Sequence, residues 1–92
     1  MLNKEFYANG QRVYDLIDGL LTYYYKDGVV KAKGNYRNDK MEDEWIFYRA
    51  NGQLWQTGSF KDNKQHGHWI RYNRKNEVEF DEIFEDGKKV KK

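Results

Sequence analysis

Two histidines stand two apart in the stretch HGHWIRYNRKNE, residues 66 to 77. Residues i and i+2 of a strand point the same way, so His66 and His68 could reach one metal ion. Zinc needs further ligands, and the chain has no cysteine. The same stretch mixes Trp69 and Tyr72 with Arg71, Arg74 and Lys75, residue types that stack bases and hold phosphates. Glu77, Glu79 and Asp81 follow in alternation, and catalytic carboxylates need burial or mutual repulsion to tune their pKa values. An alternating acidic strand reads instead as a solvated sheet edge, whose charge discourages edge-to-edge aggregation. There is no glycine-rich phosphate loop, no nucleophile elbow and no Ser-His-Asp set. The expectation is a non-enzyme without metal or cofactor, with both histidines as solvated residues at the turn entering a strand.

The elements that carry these residues must be found in a very hydrophilic chain. It has 92 residues, enough for one domain, and 35% of them are charged. That charge alone would suggest disorder. The 17% aromatic content and the absence of proline oppose it, because aromatic side chains favour pleated surfaces. The opening MLNKEFYANG has no signal-like apolar run, and no later stretch could span a bilayer. A cytoplasmic protein without membrane insertion is expected. Net charge is only +2, but residues 45–76 are locally basic, residues 77–86 hold six acids and no base, and the tail KKVKK is basic again.

Sliding the sequence by 24 residues brings it onto itself without a gap. Leu21, Trp45 and Trp69 share a column, as do Tyr24, Tyr48 and Tyr72. Val30, Leu54 and Val78 align, and so do Tyr36, Phe60 and Phe84. Gly34 meets Gly58 and then Glu82, while Gly19 heads a column with Asp43 and Gly67. Each copy reads as strand, turn, strand, turn, with DG or NG at one bend and an N/D-x-K signal at the other. The predicted fold is all-β: an antiparallel meander of about seven short strands in one domain, 1–92. Its repeats are 18–42, 43–66 and 67–90, with 1–17 a partial copy or cap. Two alignments of that first segment compete. One places Phe6 and Gly10 in the Val30 and Gly34 columns; the other matches FYANGQ to FYRANGQ with a deletion.

The pattern G-x-W-x-x-Y-x-x-(N/D)-G-x-L-x-x-x-G-x-(F/Y)-x-(N/D)-(N/G)-K resembles the MORN repeat, in the variant found in bacterial proteins called YwqK-type antitoxins. The resemblance covers residues 18–90. It implies a repeated β-sheet and a role in protein or membrane-surface interaction, not a catalytic site. The third copy departs from it, with Lys75-Asn76 at the turn and Glu82 at the strand glycine, and the second copy carries Asp43 in place of glycine.

Recurrence sorts the aromatic residues. Trp45, Trp69, Tyr24, Tyr48, Tyr72, Leu54, Phe60 and Phe84 are expected to form the core, since stacked copies bury their shared columns. Trp45 and Tyr48 are three apart, so a bulge separates them or both faces carry aromatics. Trp55 does not recur. Its column is Lys31, Trp55, Glu79, and it is expected on the polar face, away from the core, as a binding anchor. Phe47, Arg49, Arg71, Lys31 and Lys33 are expected to extend that surface. The expected function is an antitoxin-like or inhibitor-like protein-interaction module whose partner is a toxin or effector enzyme. The alternative is an RNA or single-strand binder, or an inhibitor of a nucleic-acid-processing nuclease. Self-association is also open, since one layer of sheet cannot bury both faces.

Overall fold

The computed structural model describes residues 4–90 as one antiparallel sheet. Its strands are β1 (Tyr14–Ile17), β2 (Leu20–Tyr24), β3 (Val30–Arg37), β4 (Lys40–Tyr48), β5 (Leu54–Lys61), β6 (Lys64–Tyr72), β7 (Val78–Glu85) and β8 (Lys88–Lys89). They lie in sequence order, a pure meander. Before β1, a single bridge joins Phe6 to Arg12.

One end of the sheet is closed by two-residue turns at Asp18-Gly19, Asn38-Asp39, Asp62-Asn63 and Asp86-Gly87. All eight residues have positive φ, as turns matching the right-handed strand twist require. The other end is closed by five-residue loops. In each, the first amide donates to the fifth carbonyl: Tyr7 to Gln11, Tyr25 to Val29, Arg49 to Gln53 and Asn73 to Glu77. Asn9, Asp27 and Asn51 brace three of these loops with a side-chain oxygen that accepts the amide two residues on. Asn73 takes over that work from the first position of the last loop.

The first loop settles the competing alignments. Ala8-Asn9-Gly10-Gln11 makes the bonds that Ala50-Asn51-Gly52-Gln53 makes, so FYANGQ matches FYRANGQ. Phe6 and Gly10 do not occupy the Val30 and Gly34 columns. A 24-residue slide misses this because the first turn, at Asp18, stands closer to its successor at Asn38 than later turns do. The Gly19, Asp43, Gly67 column does hold: their φ values are +83, +60 and +74.

Leu21, Ala32, Trp45 and Trp69 are the buried hydrophobic residues among those described, and Gly34 and Gly58 are buried with them. Each tryptophan lies flat on the glycine of the preceding strand. A Cβ at Gly34 would stand inside the Trp45 ring, and one at Gly58 inside the Trp69 ring. The indole N–H then donates to the next carbonyl, Trp45 to Asn35 and Trp69 to Ser59, both at 3.0 Å. The third copy carries Glu82 where the first two carry the seat glycine.

Phe60 and Phe84 are half-buried against Trp69. Tyr24, Tyr48, Tyr72 and Leu54, expected in the core, are also only half-buried. The register shifts between Tyr23 and Tyr24, Phe47 and Tyr48, and Arg71 and Tyr72. Each recurring tyrosine stands three residues after the buried column, so strand alternation turns it away from the tryptophan row, and the extra residue at each shift belongs to the strand that follows. The Tyr24 hydroxyl donates to Asp15, and the Tyr48 ring has Lys33 Nζ at 6.0 Å from its centroid. Of the two alternatives for Trp45 and Tyr48, both faces carry aromatics, since the inserted residue lies on β5 and not between them.

Candidate functional site

The register sorts side chains into two faces. One row runs Thr22, Lys33, Ile46, Thr57, Ile70 and Asp81 across β2–β7. The face opposite it carries the buried residues and a continuous file of rings. Tyr14–Tyr23, Tyr23–Trp45, Trp45–Phe47 and Phe47–Trp69 follow one another at centroid separations of 6.3, 6.5, 6.2 and 5.9 Å. Phe60 and Phe84 stand edge-on to Trp69. No second layer of secondary structure covers these rings among the described residues.

The bulges shape the site. At each one the strand that follows has one residue without a cross-strand partner: Lys31 between Val30 and Ala32, Trp55 between Leu54 and Gln56, and Glu79 between Val78 and Phe80. These form the column in which Trp55 looked exceptional. An inserted residue breaks alternation and can re-aim its side chain. Trp55 is thereby brought to the aromatic face, contrary to the expectation that it points away from the core side. It is half-buried and lines a groove of about 240 Å³ with Tyr23, Tyr25, Lys31, Ala32, Met41, Trp45, Phe47 and Tyr48.

Arg71 lies beside this groove, against the Trp55 ring. Its guanidinium carbon lies 5.2 Å from the Trp55 ring centroid and 5.1 Å from that of Phe80. Its Nε donates to Gln56 Oε1 at 3.2 Å. Lys31, across the groove, has Nζ 5.7 Å from the Tyr25 ring. Burial raises the Tyr23 hydroxyl above its ordinary pKa, with Tyr36 and Tyr14 adding to the effect.

Of the six residues expected at a binding surface, the structure gathers Trp55, Phe47, Arg71 and Lys31. Two fall elsewhere. Arg49 reaches across the loops and donates to the Tyr72 carbonyl at 2.9 Å. In the same way the Tyr7 hydroxyl donates to the Tyr24 carbonyl and that of Tyr25 to Tyr48. Arg49 thus ties consecutive loops together. Lys33 lies on the opposite face beside Tyr48. Met41 joins the groove, and Phe80 joins Arg71 beside it, without having been singled out. Phe80 belongs to no recurring aromatic column, so no repeat-based signal could mark it.

His66 and His68 sit within β6, not at the turn before it. His68 Nε2 contacts the Asp81 carboxylate on neighbouring β7. Nδ1 of His66 is buried without a hydrogen-bond partner. Among the described residues no group of three or more metal-competent side chains gathers. No described helix is long and apolar enough to cross a membrane.

No curated protein and no solved structure matches the chain. A family model does: that of the MORN repeat variant matches residues 17–38 and 44–62, the segments that form the β2–β3 hairpin and most of the β4–β5 hairpin.

Proposed function

We propose that the chain is a non-catalytic protein-binding module that docks a partner on its aromatic face, around the groove of Trp55 and Phe47. Its uncovered area carries this reading. A compact monomer of 11.2 kDa exposes about 5,700 Å². This single-layer sheet, measuring 46 × 35 × 19 Å, exposes 6486 Å². The difference, about 800 Å², is what one partner contributes to a standard interface. The surface left open is rich in rings, the residue type that dominates interface hot spots. The repeated glycine seats make it rigid, which lowers the entropy cost of docking. A rigid platform of this kind suits an inhibitor or antitoxin that covers part of a toxin or effector enzyme.

The test is capture of partners from host extract by the wild-type chain and by Trp55→Ala, each with and without nuclease treatment. A protein captured by the wild type, retained after nuclease and weakened by about 2 kcal/mol in the variant is expected. Capture abolished by nuclease, with affinity falling steeply as salt rises, would favour the nucleic-acid reading instead.

A further inference from the structure

We infer that the partner segment held in this groove presents a carboxylate to Arg71, beside an apolar side chain that enters the groove. This rests on the protein-binding reading above and specifies the chemistry of the ligand. Arg71 is built as a receptor. Trp55 and Phe80 hold its guanidinium between them, and Gln56 takes its Nε–H. Two rings and one hydrogen bond fix the plane of the fork. Among the described residues no carboxylate makes an ion pair with it. The Nη groups of such a fork match the two oxygens of a carboxylate, and a fork already held in place loses little freedom when it binds.

The groove supplies the second half of the recognition. Its walls are ring and aliphatic carbon from Trp55, Phe47, Ala32 and Met41, and its volume of about 240 Å³ suits one large side chain. Both charged residues at its margin, Arg71 and Lys31, are cations. Charge complementarity therefore selects an acidic neighbour for the apolar residue. A nucleic-acid strand fits less well. It needs a run of phosphate contacts along its backbone, whereas Arg49 is committed to the Tyr72 carbonyl and Lys33 lies on the other face.

The test uses the full chain labelled with nitrogen-15 and four synthetic octapeptides that differ only at two central residues: Leu-Glu, Leu-Gln, Leu-Lys and Ala-Glu. The readouts are the Trp55 indole and Arg71 Nε resonances, with affinity taken from the titration. Leu-Glu is expected to bind about tenfold or more tightly than Leu-Gln, as a hydrogen bond to a charged group permits. Leu-Lys and Ala-Glu are expected to bind more weakly still. Arg71→Gln should abolish the preference for Leu-Glu over Leu-Gln. Arg71→Lys should reduce it, since an ammonium lacks the planar fork. Both variants should still fold, with a melting temperature lowered by several degrees where the two cation–π contacts are weakened or lost.

Equal affinity for Leu-Glu and Leu-Gln would overturn the carboxylate inference and leave the apolar groove standing. Discrimination that survives Arg71→Gln would assign the carboxylate to another cation and also overturn it. Failure of all four peptides to move either resonance would overturn both the inference and the docking reading. Binding of a single-stranded oligonucleotide at Arg71 more tightly than Leu-Glu would replace it with phosphate recognition.

Discussion

Trp69 and Trp55 are both tryptophans of one sheet, on strands that pair with each other, and their surroundings differ completely. Trp69 is 3% exposed, lies on the flat backbone of Gly58 and donates its indole N–H to Ser59. Trp45 repeats that arrangement on Gly34 and Asn35, one copy earlier. Trp55 has no glycine beneath it. It occupies a bulge, borders the groove and carries Arg71 on its ring. Residue type therefore says little about role here. What separates the buried ring from the ring that borders the groove is whether the neighbouring strand has removed a side chain to receive it.

The largest effects should come from breaking a seat. Trp69→Ala is expected to cost about 3–5 kcal/mol, as aromatic truncation in a core does. Gly58→Ala forces a methyl group into the same ring and should cost about 1–3 kcal/mol or more. The two changes should therefore be non-additive: Gly58→Ala made in a Trp69→Leu background should be nearly neutral. Urea denaturation of the four proteins in that cycle measures the coupling, and additive costs would refute the seat.

Trp55→Ala comes next. It removes a half-buried ring and one cation–π contact, so a loss of about 1 kcal/mol is expected. A loss equal to that of Trp69→Ala would erase the distinction between the two tryptophans.

Asp43 sharpens the comparison from the backbone side. It stands at φ +60° in a column otherwise occupied by glycine, and its carboxylate accepts from Asn35 and Arg37 at exposed positions. Asp43→Gly relieves the left-handed strain, which aspartate tolerates better than most residues, and gives up two solvated contacts. A net gain below about 1 kcal/mol is expected in thermal melts.

The smallest effect concerns pH. The Tyr24 hydroxyl is raised above its ordinary pKa of 10.0, first by its hydrogen bond to the Asp15 carboxylate and then by desolvation. Its folded-state pKa exceeds the unfolded one. The stability it contributes is therefore complete below pH 10 and is lost as pH rises through the folded value. Melting temperatures measured from pH 8 to 11 should fall less steeply for Tyr24→Phe than for the wild type. An identical fall would mean that Tyr24 adds nothing.

The 24-residue period by itself determined the all-β meander, both kinds of bend and the burial of Trp45 and Trp69. Identical surroundings in stacked copies demand identical residues, and such columns can be read directly. The gapless slide failed at residues 1–17, where the first hairpin is shorter and the period breaks. The slide holds at the bulges, but reading faces by alternation fails wherever one residue is inserted into a strand. A bulge needs no distinctive residue type: Lys31, Trp55 and Glu79 share nothing in chemistry, yet all three lie opposite the same register shift. Strict alternation assigns them to the polar face, whereas Tyr24, Tyr48 and Tyr72 were expected in the core on recurrence alone. Only the tertiary pairing reveals the extra residue, because a bulge is a property of two strands in register and not of either one alone. For the same reason the clamp of Trp55, Arg71 and Phe80 was invisible in the sequence. Its members come from β5, β6 and β7 and occupy no common column, so they meet only when three strands are laid side by side.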